Sequence, residues 1–267
     1  FEMMDGIPAT PLHSCEKGGV IVDGASPLEL VSVAQLGYDC VIQKSRPDFP
    51  FELLAALLLL NKPQSFLANP IPFFIRGFPV ESPEGRDAVI PFTSTQDKAG
   101  LVAKVDEALA EAAPFVREAA VVVADELIAN ALFHGPVDHE GHQLYEHYDR
   151  SKTVAFPAKK TGSFFFTASD KKVVVGVRDP FGNIKRAEII ERLKQLYETP
   201  DPVKILATKK GAGLGLRMVM DRCSSLYIFQ VSQKCAIVCA QIDLHKKRRA
   251  AQGVAKNLLI CFDKLDG

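Results

Sequence analysis

The chain has 267 residues, of which 47% are hydrophobic and 24% charged, a composition typical of a globular protein rather than a disordered or fibrous one. Lysine and arginine total 32, and aspartate and glutamate also total 32, so the formal net charge is zero. Proteins that bind nucleic-acid phosphates normally carry a basic excess, so this balance disfavours nucleic acid as a partner. The longest apolar run, residues 53–60, is too short to span a bilayer.

The cysteine pattern favours a reducing compartment. The six cysteines form no C-x-x-C pair and mostly lie inside apolar runs, where a reduced cysteine behaves as a small hydrophobic residue. The first residues, 1–4, lack the basic segment and apolar segment of an export signal. We therefore expect a cytoplasmic location without membrane association.

Residues 1–62 are predicted to form a small α/β module. Strand signals at 19–22 and 38–42 alternate with helix signals that begin at Ser26 and at residue 51. This βαβα order implies a parallel sheet.

This module resembles the second half of a response-regulator receiver domain. The resemblance covers about 45 residues, without the half that would carry the phosphoacceptor aspartate. Gly24 stands where that family usually has a threonine or serine switch residue. The resemblance therefore implies a receiver-like remnant that does not accept phosphate, and an unrelated packing module is the alternative.

Residues 63–86 are rich in proline, which disfavours a helix and a central strand, so they are predicted to be a linker with a strand signal only at 73–78. From residue 87 to 267 the pattern is longer and more regular. The predicted elements are a strand at 87–93, helices at 95–111 and 114–133, a polar loop at 134–162, a hairpin at 163–178, helices at 187–197 and 214–222, a hairpin at 226–244 and a last strand at 256–262. Helices in one group and antiparallel hairpins in another predict an α+β fold, a two-layer α/β sandwich.

The first motif that could carry chemistry is Glu126-Leu127-Ile128-Ala129-Asn130. Glu126 and Asn130 lie four residues apart and so share one face of a predicted helix. An amide oxygen is a suitable ligand for Mg²⁺, and a neighbouring carboxylate can deprotonate a nucleophile. The same spacing occurs on solvated helix faces, but this helix is apolar enough to be largely buried, where glutamate and asparagine are unusual.

Two further motifs follow along the chain. Asp179 ends a β-branched strand and precedes a turn at Gly182, where its carboxylate could accept a hydrogen bond from the exocyclic amine of adenine; a simple Asp-Pro turn is the alternative. The run Gly211-Ala212-Gly213-Leu214-Gly215 precedes a helix, whose free N–H groups could bind phosphate; a flexible hinge is the alternative. This run is neither a dinucleotide fingerprint nor a Walker loop.

The ordered combination of these three motifs resembles the Bergerat ATP-binding fold of gyrase, the heat-shock chaperone, mismatch-repair proteins and histidine kinases. The resemblance covers about residues 87–245, and the helix that runs into Asn130-Ala131 and His134-Gly135 is most similar to the anti-sigma-factor serine kinases. It implies ATP and Mg²⁺ as cofactors.

The resemblance implies a role for each matching residue. Glu126 would be the general base, Asn130 the Mg²⁺ ligand and Asp179 the residue that recognises adenine. The nucleotide would also contact Gly182 and the phosphate loop, which comprises Gly211, Gly213, Leu214 and Gly215. Residues 184–210 would form a lid over the nucleotide.

The chain departs from the family at two places. The usual Asp-x-Gly-x-Gly has Phe181 and Asn183 at its glycine positions, which puts the floor of the adenine pocket in question. The loop at 136–162 is longer than these kinases need and is a candidate partner surface. Its three histidines lack the spacing of a zinc site, so we interpret it as a solvated polar loop.

The leading interpretation is therefore an ATP-binding protein of bacterial signalling, an anti-sigma-factor-like serine/threonine protein kinase. One alternative is a non-catalytic switch that binds a partner protein in a nucleotide-dependent way. The other is a histidine kinase catalytic domain that lacks its phosphoacceptor region. The expected partner is a protein, either a regulatory factor or its antagonist, and a homodimer stays open.

Overall fold

The computed structural model describes residues 2–3, 18–68, 70, 88–145, 147–169, 171–198, 214–244 and 256–263. These residues form helices around one mixed sheet of nine strands, which confirms the mixed α+β class. The helices are α1 (Pro27–Gln35), α2 (Phe49–Asn61), α3 (Pro63–Ala68), α4 (Thr95–Ala108), α5 (Pro114–His134), α6 (Arg186–Glu198) and α7 (Leu214–Arg222). The strands are β1 (Glu2–Met3), β2 (Gly19–Val22), β3 (Cys40–Gln43), β4 (Ala88–Phe92), β5 (Gly162–Ala168), β6 (Lys172–Asp179), β7 (Ser225–Val231), β8 (Cys235–Asp243) and β9 (Asn257–Asp263).

The elements between residues 19 and 61 match the predicted βαβα pattern. Strands β2 and β3 are parallel, as expected for strands joined through a helix. Helix α1 begins at a capping box, in which the Ser26 hydroxyl accepts a hydrogen bond from the Glu29 N–H and the Glu29 carboxylate accepts one from the Ser26 N–H. Ser26 therefore caps the helix as the sequence predicts.

The two predicted hairpins are also present. Strands β5 and β6 are antiparallel, as are β7 and β8, and β6 pairs with β8 to join the hairpins. The predicted polar loop between α5 and β5 contains one 3-10 turn, Pro157–Lys159. Across the described residues, no helix is both long and apolar enough to cross a membrane.

Strand β9 has a position that the sequence pattern does not predict. It lies between β3 and β7, antiparallel to β3 and parallel to β7. The side chain of Asn257 accepts a hydrogen bond of 2.8 Å from the Gln43 N–H, which ties the start of β9 to the end of β3. One sheet therefore runs through residues 19–43 and the strands that follow residue 87.

Helices cover both faces of this sheet, which adds a third layer to the two that were predicted. Helices α1, α4, α5, α6 and α7 pack on one face, and α2 and α3 pack on the other. Strands β7 and β9 are apolar at consecutive positions, so neither of their faces can be left in water. In β7, Leu226 and Ile228 contact the first layer of helices, and Tyr227 and Phe229 contact the second.

The prediction that residues 63–86 contain no helix is wrong at residues 63–68, which form helix α3. Pro63 is the first residue of this helix, where a missing N–H removes no helical hydrogen bond. Phe66 is buried, and its ring packs edge-on against Phe229 with the centroids 5.6 Å apart. This apolar contact outweighs the local effect of proline. The strand signal at 73–78 lies outside the described residues.

Close packing at Gly176 gives a test of the sheet. Gly176 pairs with Phe165 and Cys239 on the neighbouring strands, and a Cβ there would overlap the Phe165 ring and lie 2.6 Å from the Cys239 Cβ. We expect Gly176→Ala to lower the free energy of unfolding by about 1–3 kcal/mol, measured by urea denaturation. Gly100→Ala is the control, because Gly100 is exposed on α4 with open space around it, and we expect a gain of roughly 0.5–1 kcal/mol. Unchanged stability of Gly176→Ala would contradict this packing.

Candidate functional site

A cleft lies between α5, α6 and the start of α7, above strands β6, β7 and β8. Its walls are mostly apolar. They include Leu127, Ala131, Val177, Ile184, Ile189, Leu216, Ile228 and Val238. Polar and charged side chains line the rest, and a concave cleft that combines apolar walls with polar groups is a usual form of small-molecule site.

Three of the residues singled out in the sequence line this one cleft: Asn130, Asp179 and Gly215. Glu126 lies one helical turn before Asn130 and is in contact with Gly215. Gly182 is buried but does not line the cleft. Gly211 and Gly213 lie outside the described residues, and Leu214 is described only as the first residue of α7.

Helix α5 positions Glu126 and Asn130. It begins at Pro114 and packs against β6, β8 and α7, with Leu127 and Ile128 almost fully buried beneath its polar pair. Glu126 is 12% exposed at its side chain. Burial of the apolar stripe of α5 therefore fixes the direction in which both polar side chains point.

Arg150, from the loop between α5 and β5, binds both of these side chains. Its Nη1 donates to Glu126 Oε2 and Oε1 at 2.9 and 3.2 Å, and its Nη2 donates to Asn130 Oδ1 at 3.0 Å. The oxygens of Glu126 and Asn130 thus converge on one cationic group. Arg150 lies in an irregular loop without a recognisable motif, so no sequence pattern predicts this contact.

Gly215 allows α7 to approach Glu126 closely. A Cβ at Gly215 would collide with the Glu126 carboxylate, so a larger residue would displace one of the two. The first N–H groups of α7 have no acceptor within the helix, and the positive end of its dipole faces this carboxylate. Only glycine fits at this position with Glu126 in place.

Asp179 ends β6 at the floor of the cleft and is 5% exposed. Its Oδ1 accepts hydrogen bonds from the N–H groups of Phe181 and Gly182, at 2.8 and 3.1 Å. Burial raises the pKa of this carboxyl to about 6, and these two N–H groups and Lys160 only partly oppose the shift. Its Oδ2 accepts no hydrogen bond from the described residues, so it is available to a donor in the cleft.

The turn after Asp179 accommodates Phe181 where the sequence motif usually has glycine. The Phe181 ring is buried against Phe156, with centroids 5.5 Å apart, and lies 4.5 Å beneath the Lys160 ammonium. Gly182 carries the positive φ of the turn, +62°, and its Cα packs against the β7–β8 hairpin. The aromatic ring therefore packs away from the cleft, and the close approach to the hairpin requires glycine at 182.

Helix α6 and the residue before it contribute charged groups to the cleft. The cleft is lined by Lys185, just before the helix, and by Glu188, Ile189 and Arg192 on one face of it, and the core contains Ile190 and Leu193. Lys185 and Glu188 form an exposed ion pair of 3.0 Å. This set of residues could be found from the sequence by its spacing of three and four residues. The remainder of the predicted lid, residues 199–210, lies outside the described part of the chain.

The polar loop brings Asp138, Glu140 and His142 together at its surface. Asp138 accepts hydrogen bonds from the N–H groups of Glu140 and His142, so the cluster forms a local turn. Glu140 and His142 are exposed. The interpretation of this segment as a solvated polar loop is consistent with that exposure.

No protein-family model matches this chain, and no curated protein matches it either.

The raised pKa of Asp179 predicts how stability depends on pH. The pKa of Asp179 is about 6 in the folded chain, whereas that of an ordinary aspartate is 3.8, so the stability gained from its protonation is complete below about pH 4 and is lost as the pH rises through 6. At 1.36 kcal/mol for each pKa unit, the loss is about 3 kcal/mol. Asp179→Asn should remove this loss and flatten the dependence of unfolding free energy on pH between 4 and 7.

Asp106→Asn is the matched control. The hydrogen bond from Arg117 lowers the pKa of the exposed Asp106 carboxyl, so its contribution is lost as the pH falls. The two variants should therefore shift the stability profile in opposite directions. Parallel profiles for Asp179→Asn and the wild type would contradict the buried, ionisable Asp179.

Proposed function

We propose that this cleft binds ATP with Mg²⁺, that the chain has a Bergerat-type ATP-binding fold, and that it acts as an anti-sigma-factor-like serine/threonine protein kinase. The observation that carries the proposal is the meeting of Asn130, Asp179 and Gly215 in one cleft, with Glu126 beside them. These residues come from three separate segments of the chain. In each segment the sequence motif alone already suggested a role in binding or catalysis.

In this proposal, adenine would lie at the end of the cleft that Asp179 lines. The free Oδ2 of Asp179 can accept a hydrogen bond from an exocyclic amine, which adenine has at the position where guanine carries a carbonyl. Val177, Ile228 and Val238 line the sheet side of the same cleft and offer apolar contact to a planar ring.

The outer end of the cleft fits Mg²⁺ and phosphates. Oxygens are the ligands that Mg²⁺ prefers, and those of Glu126 and Asn130 already converge on a single cationic group, Arg150. Asn130 would hold the ion, which when bound would neutralise charge on the phosphates. The start of α7 at Gly215 would face those phosphates with its N–H groups.

Glu126 is the proposed general base. Its carboxylate would accept the proton of a serine or threonine hydroxyl and so orient that oxygen toward the terminal phosphate. This carboxylate forms an ion pair with Arg150, so it must exchange that partner before it can contact a hydroxyl. The same contact favours a second candidate, a non-catalytic switch in which nucleotide only changes the surface offered to a partner.

The proposed partner is a protein, either a regulatory factor or its antagonist, and not nucleic acid or a membrane. The net charge of zero offers little attraction to phosphate backbones. The proposed contact surface is the loop between α5 and β5. This loop is exposed at Arg150, and the Arg150 side chain also contacts Glu126 beside the cleft.

Calorimetric titration with ATP and with GTP tests the binding site. We expect ATP to bind in the presence of Mg²⁺ and GTP to bind much more weakly. Asp179→Asn should weaken ATP binding by about 10- to 100-fold, since a hydrogen bond to a charged group is worth roughly 1.5–3 kcal/mol. Affinity should also fall below about pH 6, where the raised pKa of Asp179 leaves its carboxyl protonated.

Asn130→Ala should abolish the Mg²⁺-dependent part of this binding. Tight binding that persists in Asn130→Ala with the same response to Mg²⁺ would refute the assignment of Asn130, and equal affinities for ATP and GTP would refute that of Asp179.

Glu126→Gln separates the kinase from the switch. A kinase should retain ATP binding in this variant and lose hydrolysis and protein phosphorylation by at least about 100-fold, the scale of general base catalysis. Glu118→Gln is the matched control, since Glu118 is exposed on the same helix two turns earlier. Turnover that does not depend on Glu126, or ATP binding without turnover in the wild type, would favour the switch.

A further inference from the structure

Arg150 contacts Glu126 and Asn130, and this contact suggests how the site is regulated. The inference rests on the proposed function. One guanidinium donates three hydrogen bonds of 2.9–3.2 Å to the carboxylate of Glu126 and the amide oxygen of Asn130. These are the oxygens that the proposal assigns to the proton acceptor and the metal ligand.

We propose that Arg150 occupies the position between Glu126 and Asn130 that Mg²⁺ would take, and that it leaves when Mg²⁺ and ATP bind, which releases the surface loop that carries it. This loop segment comprises residues 147–152. Arg150 thus competes with Mg²⁺ for the metal site. The conformation of its loop segment therefore depends on whether nucleotide and metal are bound in the cleft.

Charge repulsion opposes binding of the two cations at the same time. The side chain of Glu126 is only 12% exposed, so its negative charge needs a counter-ion. Arginine stays protonated at every physiological pH and provides one. A metal ion held by Asn130 Oδ1 would place a second positive charge beside the Arg150 guanidinium that donates to the same oxygen, and repulsion between the two cations favours departure of the guanidinium.

Arg150 makes the hydrogen bonds that join this loop segment to α5, and the Tyr148 ring also packs against Tyr145, with the centroids 5.3 Å apart. Within the described residues, the other hydrogen bonds of 147–152 stay inside the loop, as in the contacts of Tyr148 with Tyr145 and of Lys152 with Asp149. Every residue of the segment is exposed. Loss of the contact at Arg150 therefore frees this segment without disturbing the core.

The dependence of ATP affinity on Mg²⁺ concentration tests the competition. Titrations of the full chain with ATP at a series of Mg²⁺ concentrations would compare the wild type, Arg150→Gln and Lys152→Gln. We expect Arg150→Gln to reach half-saturation at a Mg²⁺ concentration roughly tenfold lower, within the usual range of coupling between ligands. Lys152→Gln removes the same charge from the same loop without touching Glu126 or Asn130, and it should match the wild type.

Hydrogen exchange of the peptide that contains residues 147–152 tests the release. Without ligand, this peptide should exchange faster in Arg150→Gln than in the wild type. Addition of Mg²⁺ and ATP should accelerate its exchange in the wild type and leave that of the variant unchanged.

The outcomes separate this inference from the function on which it rests. ATP binding with an unchanged or increased requirement for Mg²⁺ in Arg150→Gln, or ligand-induced protection of residues 147–152, would overturn the role of Arg150 and leave the nucleotide site intact. Absence of ATP binding in both the wild type and Arg150→Gln would overturn the proposed function, and this inference with it.

Discussion

The burial of α5 against the sheet is the constraint on which the rest of the site depends. Its apolar stripe packs on β6 and β8 and faces α7, so the helix cannot rotate without exposing Leu127 and Ile128. The same packing directs Glu126 and Asn130 to the cleft and brings the end of α5 against the turn after Asp179. The packing of α5 on the sheet thus sets the distance between Asp179 and the pair of Glu126 and Asn130, which come from different parts of the chain.

The polar groups of the cleft occupy two different environments. Asp179 is buried with only backbone N–H donors at its Oδ1, and its pKa rises toward 6. Glu126 is partly buried as well, but the Arg150 guanidinium compensates its charge directly. At the end of the cleft that contains Asp179, the carboxyl is protonated and neutral below about pH 6. At the other end, Glu126 and Arg150 form an ion pair, which would break if another cation replaced Arg150.

Most helices and strands could be predicted because their formation is signalled by residues that are close together in the sequence. The capping box at Ser26, the apolar stripe of α5 and the paired apolar runs of each hairpin depend on neighbouring residues. The third layer, helix α3 and the place of β9 depend on contacts between distant residues, such as Phe66 with Phe229 and Gln43 with Asn257. For the site, spacing along the chain identified Asn130, Asp179 and Gly215, whereas Arg150 acts through a loop conformation that no periodic pattern encodes.

The position of β9 has a consequence for how the chain assembles. Strands β2 and β3 join the remainder of the sheet through β9, so their edge pairs with residues more than 200 positions later, as in the contact of Gln43 with Asn257. Closing so long a loop costs entropy before any contact repays it, and sheets built from such pairings fold slowly. During synthesis, the edge of β3 stays unpaired until β9 has been made, and an open apolar edge of this kind promotes aggregation.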